Sequence, residues 1–144
     1  MELEPMTARH SPSEALHSTA VKWQVWTGRG LTAIPSLMLA MSAAMKLGHP
    51  PGVVEMFVAK FGYPEGMLTG LAIVEIACTI TYLVPQTAVL GAVLLTGYLG
   101  GAVATHARVG DSFAVPLVLG VVVWAALFLR DERIRGLLPT RRIP

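Results

Sequence analysis

Glu75 is the residue that demands most of its surroundings. It lies well inside a run of apolar residues, Met67 to Val84, about 12 Å along a helix from that run's start. An ionised carboxylate in hydrocarbon needs a cation or water; otherwise it takes a proton and becomes a neutral hydrogen-bond donor. Glu75, Cys78, Thr79 and Tyr82 follow at i, i+3, i+4 and i+7, one polar stripe along one side of a helix. A second apolar run carries Tyr98, Thr105 and His106, and a third carries Ser42 and Lys46 four residues apart. If the chain reverses direction at each turn, Lys46 and His106 share one end and Tyr98 sits at the depth of Glu75. The three stripes then build one polar pocket, open toward that end. A carboxyl and an imidazole in such a pocket can take up and release protons.

Each residue also has a plainer reading. Glu75 can be a structural carboxyl joining two helices. Lys46 can snorkel from the end of its helix to lipid headgroups. His106 can be an interface residue, Cys78 a small packing residue, and Tyr82 and Tyr98 core aromatics. What favours a site is the convergence of these groups at one depth and one end.

Other chemistries lack their residues. No phosphate-binding GxxxxGK[ST] loop, HExxH helix, paired His–Cys metal spacing or GxSxG elbow occurs, and no metal site is expected. Cys78 is the single cysteine, so a dithiol–disulfide exchange within one chain is excluded. No basic run is interleaved with aromatics, which speaks against nucleic acid.

The elements that must position these groups follow from hydropathy. Of 144 residues 53% are hydrophobic and 14% charged, with a mean hydropathy of +0.60. Soluble domains carry roughly 25% charge. Four apolar runs, 30–47, 67–84, 88–105 and 113–129, are each near the shortest helix that spans a bilayer core. The expectation is an all-α integral membrane protein, an antiparallel four-helix bundle in a 30–130 membrane domain. A cytoplasmic segment, 1–29, precedes it and a basic tail, 131–144, follows. Residues 1–29 lack the apolar core of a secretory signal. They suggest a helix capped by Ser13, with Leu16, Ala20, Trp23 and Thr27 on one face and Trp26 nearby. Between the first two spans, Val54, Phe57, Val58 and Phe61 fall at i, i+3, i+4 and i+7, the pattern of a short amphipathic helix on the membrane surface. With both ends inside, Arg9, Lys22, Arg29, Arg130, Arg133, Arg135, Arg141 and Arg142 are cytoplasmic, against Lys46, Lys60 and Arg108 outside. Gly97, Gly100 and Gly101 on the third span invite close approach of another helix, a sister helix or one from a homodimer.

Over roughly residues 28–139 the chain resembles the DoxX-like family of small bacterial four-span membrane proteins. The resemblance rests on Gly28-Arg29, Lys46-Leu47, Phe61-Gly62-Tyr63-Pro64, Glu75, Pro85, Leu90-Gly91-Ala92, Thr96 to Ala102, His106, Trp124, Leu129-Arg130-Asp131 and Leu138-Pro139. Where relatives often have Ser-Gly ahead of the closing lysine, this chain has Ser42-Ala43-Ala44. The resemblance implies a bacterial inner-membrane location and an association with quinone-dependent oxidation of reduced sulfur or with oxidative-stress complexes. It marks Lys46, Glu75 and His106 as the polar residues to follow. Two functional readings result. One is an accessory subunit that binds a quinone-like molecule beside Glu75 and supports a partner oxidoreductase; the other is a scaffold or small-solute permease in which Glu75 is structural.

Overall fold

The computed structural model describes the backbone of residues 12–137 and the side chains of residues 23–136. The described chain is all-helical. Helix α1 spans Pro12–Gly48, α2 Pro51–Glu55, α3 Met67–Leu83, α4 Ala88–Arg108, α5 Ala114–Arg130 and α6 Glu132–Leu137. A single π-helical turn, Met56–Lys60, continues α2.

Helix α1 enters the first apolar run without a break, because nothing between Pro12 and Gly48 stops it. Ser13 lies inside its first turn, not before it, and Trp23 and Trp26 are exposed. The side chains of Leu16 and Ala20, and the whole of residues 1–11 and 138–144, lie outside the described residues. Pro35 sits within α1. The buried hydroxyls near it stay satisfied inside the helix: Thr32 donates to the Gly28 carbonyl and Ser36 to the Thr32 carbonyl, both at 2.8 Å. Pro50 and the left-handed His49 (φ 47°) end α1. Pro85 ends α3 by forcing Val84 into an extended conformation. Pro116 falls in the first turn of α5, where its missing N–H removes no helical bond.

The four long helices touch in a closed cycle: α1 packs on α3 and α5, α3 on α4, and α4 on α5. Leu39, Leu95, Leu99, Leu119, Val123 and Leu127 fill the centre with Tyr82. Tyr82 is fully buried; its hydroxyl donates to the Val123 carbonyl at 2.9 Å. Arg130 lies over its ring and donates to its carbonyl at 3.0 Å. This end of the molecule is tight because glycines let backbones touch. A Cβ on Gly91 would lie 2.2 Å from the Tyr82 nitrogen, and one on Gly28 2.8 Å from the Arg130 nitrogen. Gly97, Gly100 and Gly101 make no such contact with a sister helix, since no described residue stands within 4 Å of where their Cβ would be. The close approach expected there is made by Gly91 instead, six residues nearer the α3–α4 turn.

The outer surfaces of the helices are apolar. Ile34, Leu37, Met41, Ile73, Ile80, Val93, Val118 and Val121 are all exposed, a surface that water would penalise. Residues 23–48 and 88–108 form helices long and apolar enough to cross a membrane, while Met67–Leu83 and Ala114–Arg130 are apolar and 17 residues each.

Between α1 and α3 the chain is helical from Pro51 to Lys60, but not as the one regular amphipathic turn pattern expected. The π turn widens the spiral so that the Phe61 N–H reaches the Met56 carbonyl at 3.0 Å. The inward residues become Val53, Phe57 and Phe61, while Val58 is exposed. Gly62, at φ +72°, then reverses the chain in a conformation a side chain would strain. Three contacts pin this cap to α4 and the loop after it. Lys60 pairs with Asp111 at 2.8 Å, Tyr63 shares a hydrogen bond with Thr105 at 2.7 Å, and Arg108 donates to the Phe61 carbonyl.

Two outcomes are expected. Gly91→Ala drives a methyl into the α3 backbone and costs about 3 kcal/mol, the upper part of the overpacking range, read as a lowered Tm. The hydrogen bond from Lys60, then those from the Ser112 backbone and His106, holds the Asp111 carboxyl below its ordinary value of 3.8. A depressed carboxylate contributes stability above its unfolded pKa and loses it as pH falls through the folded one. The Tm difference between wild type and Asp111→Asn is therefore constant near neutrality and closes below pH 3.8.

Candidate functional site

At the end away from the Gly91 contact the helices enclose a cavity of about 420 Å³. Its wall is mostly apolar, with Met38, Leu39, Leu71, Leu99, Val115 and Leu119 among its residues. Its polar groups are few and come from different elements. Helix α1 supplies Ser42 and Lys46, α3 supplies Glu75, and α4 supplies Tyr98, Thr105 and His106. All six were expected at one site from the sequence, and the fold brings them to one cavity.

Lys46 and Glu75 form an ion pair at 2.9 Å, with side chains 9% and 2% exposed. Ser42 stands between them: Lys46 donates to its hydroxyl oxygen, and that hydroxyl donates to Glu75 Oε2 at 3.3 Å. Ser42 and Lys46 are one helical turn apart, so α1 presents hydroxyl and ammonium as a unit. The Lys46 ammonium also lies over the face of Phe57, 5.6 Å from its centre. Both of these donors reach Glu75 through Oε2. The Tyr98 hydroxyl of α4 is the other polar group set against this carboxylate, which lines the cavity. Lys46 thus remains inside, held by Glu75, and does not snorkel.

His106 sits at the cavity's outer rim. Its Nδ1 is 3.2 Å from Asp111 Oδ2, and its ring meets Phe61 edge-on at 4.9 Å between centres. The imidazole therefore bridges the cavity wall and a carboxylate at the molecular surface.

The rest of the polar stripe on α3 does not reach the cavity. Cys78, Thr79 and Tyr82 are buried closer to the tight end, among core residues. Thr79 donates to the Glu75 carbonyl at 2.8 Å, so its hydroxyl is consumed within its own helix. Tyr82 is committed to Val123. One helical turn beyond Glu75 the stripe has already passed into the packed half of the molecule. At its outer end Phe57, Phe61 and Tyr63 of the cap join the wall.

Four contributors lay outside the sequence reading of the site. Phe57 and Phe61 were assigned to a membrane surface, and Tyr63 and Asp111 to loops. The available signal was the i, i+4 pair of phenylalanines beside a Gly-Tyr-Pro turn, which fits a segment folding back over a cavity as well as one lying on lipid.

The arrangement sets an ammonium, a carboxylate and a phenol in a mostly apolar chamber, with an imidazole at its rim. It can orient a small ring bearing hydrogen-bonding groups and exchange protons with it.

Comparison with known proteins gives one match. The chain has no counterpart among curated proteins or solved structures. The family model of the DoxX-like family matches residues 30–126, which include Ser42, Lys46, Glu75, Tyr98, Thr105 and His106. The chain belongs to the DoxX-like family.

Proposed function

We propose that this protein crosses the bacterial inner membrane four times, with both ends cytoplasmic, and serves a membrane redox system as an accessory subunit that binds a quinone-like molecule beside Glu75. The topology is supported by the apolar outer surface of α1, α3, α4 and α5 and by the arginines at one end of the molecule, Arg29, Arg130, Arg133 and Arg135. The observation that carries the ligand reading is the buried Lys46–Glu75 ion pair on the wall of a mostly apolar cavity, with the Tyr98 phenol beside it. A chamber of about 420 Å³ lies within the range of small-molecule sites. Its donors Lys46 and Tyr98 suit ring oxygens. Bound quinone would supply the two-electron, two-proton chemistry, with electrons coming from a partner oxidoreductase.

The chain's own residues then orient and protonate. Lys46 holds the Glu75 side chain in place and adds positive charge near the ligand. His106, held by Asp111, connects the cavity with the outer surface and can pass protons between them.

The completeness of the Lys46–Glu75–Ser42 contact favours the second reading, a scaffold or small-solute permease whose helices the pair joins. Glu75→Gln alone cannot separate the two, because it strands a buried ammonium. Removing one member of a buried pair costs about 3–5 kcal/mol whatever its role. Lys46→Gln with Glu75→Gln removes both charges and keeps the volume. The double variant is expected to recover most of the Tm lost in either single one and to bind a quinone analogue at least roughly tenfold more weakly. Tyr98→Phe, which leaves the pair intact, should weaken binding at unchanged Tm. Unchanged binding by both folded variants would leave the scaffold reading standing.

A further inference from the structure

The cavity's position in the fold bears on how anything enters it. Its outer end is covered by the cap, through Phe61, only 2% exposed, and through Phe57 and Tyr63. That cover is fastened through Lys60–Asp111, Tyr63–Thr105 and Arg108–Phe61. Its inner end is closed by buried Leu39 and Leu99, with the Gly91–Tyr82 backbone contact beyond them. Met38, Met56 and Val115 of the wall are exposed through their side chains, but at two positions the wall is bare backbone. Gly97 and Gly101 line the cavity, yet both are exposed, with open space where their Cβ would stand.

These glycines are not near an end of the protein. Gly97 is about 14 Å along α4 from Ala88, roughly the helix's midpoint. Gly91 faces α3. Seven residues on, Tyr98 returns to that face, and Gly101 flanks it on the outward side. On the α3 side the wall is Leu71. The two helices touch at Gly91, and farther along α4 has no side chain at two positions of the cavity wall.

We infer that the cavity is filled sideways from the hydrocarbon, through a slot between α3 and α4 edged by Gly97 and Gly101, and that its ligand is an amphiphile whose polar ring meets Lys46, Glu75 and Tyr98 while a flexible apolar tail runs out through the slot. The inference rests on the ligand reading above and adds the class of ligand and its route. A tail leaving at mid-helix stays in lipid and loses no burial. A compact water-soluble ligand would instead need the outer end, where three fastened contacts stand in its way. Lys46, Glu75 and Tyr98, drawn from three helices, are the polar groups of the chamber that such a ring meets.

The test uses the full chain in lipid nanodiscs with two probes, a long-tailed quinone and its tail-less ring analogue. Gly97→Phe and Gly101→Phe put bulk into open space, and Gly100→Phe, exposed on α4 but absent from the cavity wall, controls for the helix. The long-tailed probe should bind the first two variants roughly tenfold more weakly than wild type. The ring analogue should bind all of them as it binds wild type, and Gly100→Phe should bind both probes normally. Undiminished binding of the long-tailed probe to Gly97→Phe and Gly101→Phe would overturn the slot and leave the quinone reading intact. Equal loss of both probes would also overturn it, by making the glycines part of the ring's seat. Failure of wild type to bind either probe would overturn the ligand reading itself, and this route with it.

Discussion

The contact between Lys46 and Glu75 is the constraint around which the rest is arranged. Charges in a medium of low dielectric attract strongly, but removing each from water is costly, so such a pair persists only where geometry is good and further hydrogen bonds are made. Here Ser42 supplies the extra hydrogen bonds and the Phe57 ring faces the ammonium. The requirement fixes the rotation of α1 and α3 about their own axes, since only one face of each helix can meet the other. Once those faces are set, Leu39, one turn from Ser42, and Tyr82, two turns from Glu75, are turned inward as well. One polar contact thereby registers the apolar packing, a role that apolar side chains alone fill less exactingly.

Against that contact stands the gradient in packing along the molecule. At one end Gly28 and Gly91 admit backbone against backbone, and Arg130 covers the Tyr82 ring. At the other, with no such glycine contacts, the helices stand apart and leave a chamber. The chamber keeps its polar groups dry because the π-helical turn swings Phe57 and Phe61 over its outer end. Tight packing supplies stability at one end, and the space it leaves at the other is where chemistry has room.

Much of this was legible in the residue order. Four apolar runs in a chain with so little charge required helices with apolar exteriors. A carboxyl, an ammonium, a phenol and an imidazole at matching depths required a shared interior. Two things were not legible. Residues 53–61 read equally well as a surface helix or a cover, because an i, i+4 pattern does not say whether lipid or protein takes the apolar face. The extent of the α3 stripe was overestimated, since a helical wheel shows direction but not where along the axis packing becomes too dense for a cavity. The glycines repeat the lesson. Gly91 and Gly97 are alike in sequence, and only the location of the neighbouring backbone separates a close contact from an open edge.

The touching backbones at Gly91 have a mechanical consequence. Two rods in contact near one end can change their separation at the other by rocking about the point of touch, and the displacement grows with distance along the rod. Gly91 is three residues from the start of α4 and seventeen from its end. A small tilt at this fulcrum therefore becomes a several-fold larger movement at Thr105 and His106. The long arm of the lever ends at the cap's own fastenings, so whatever loosens Tyr63 from Thr105 also frees the hairpin to spread.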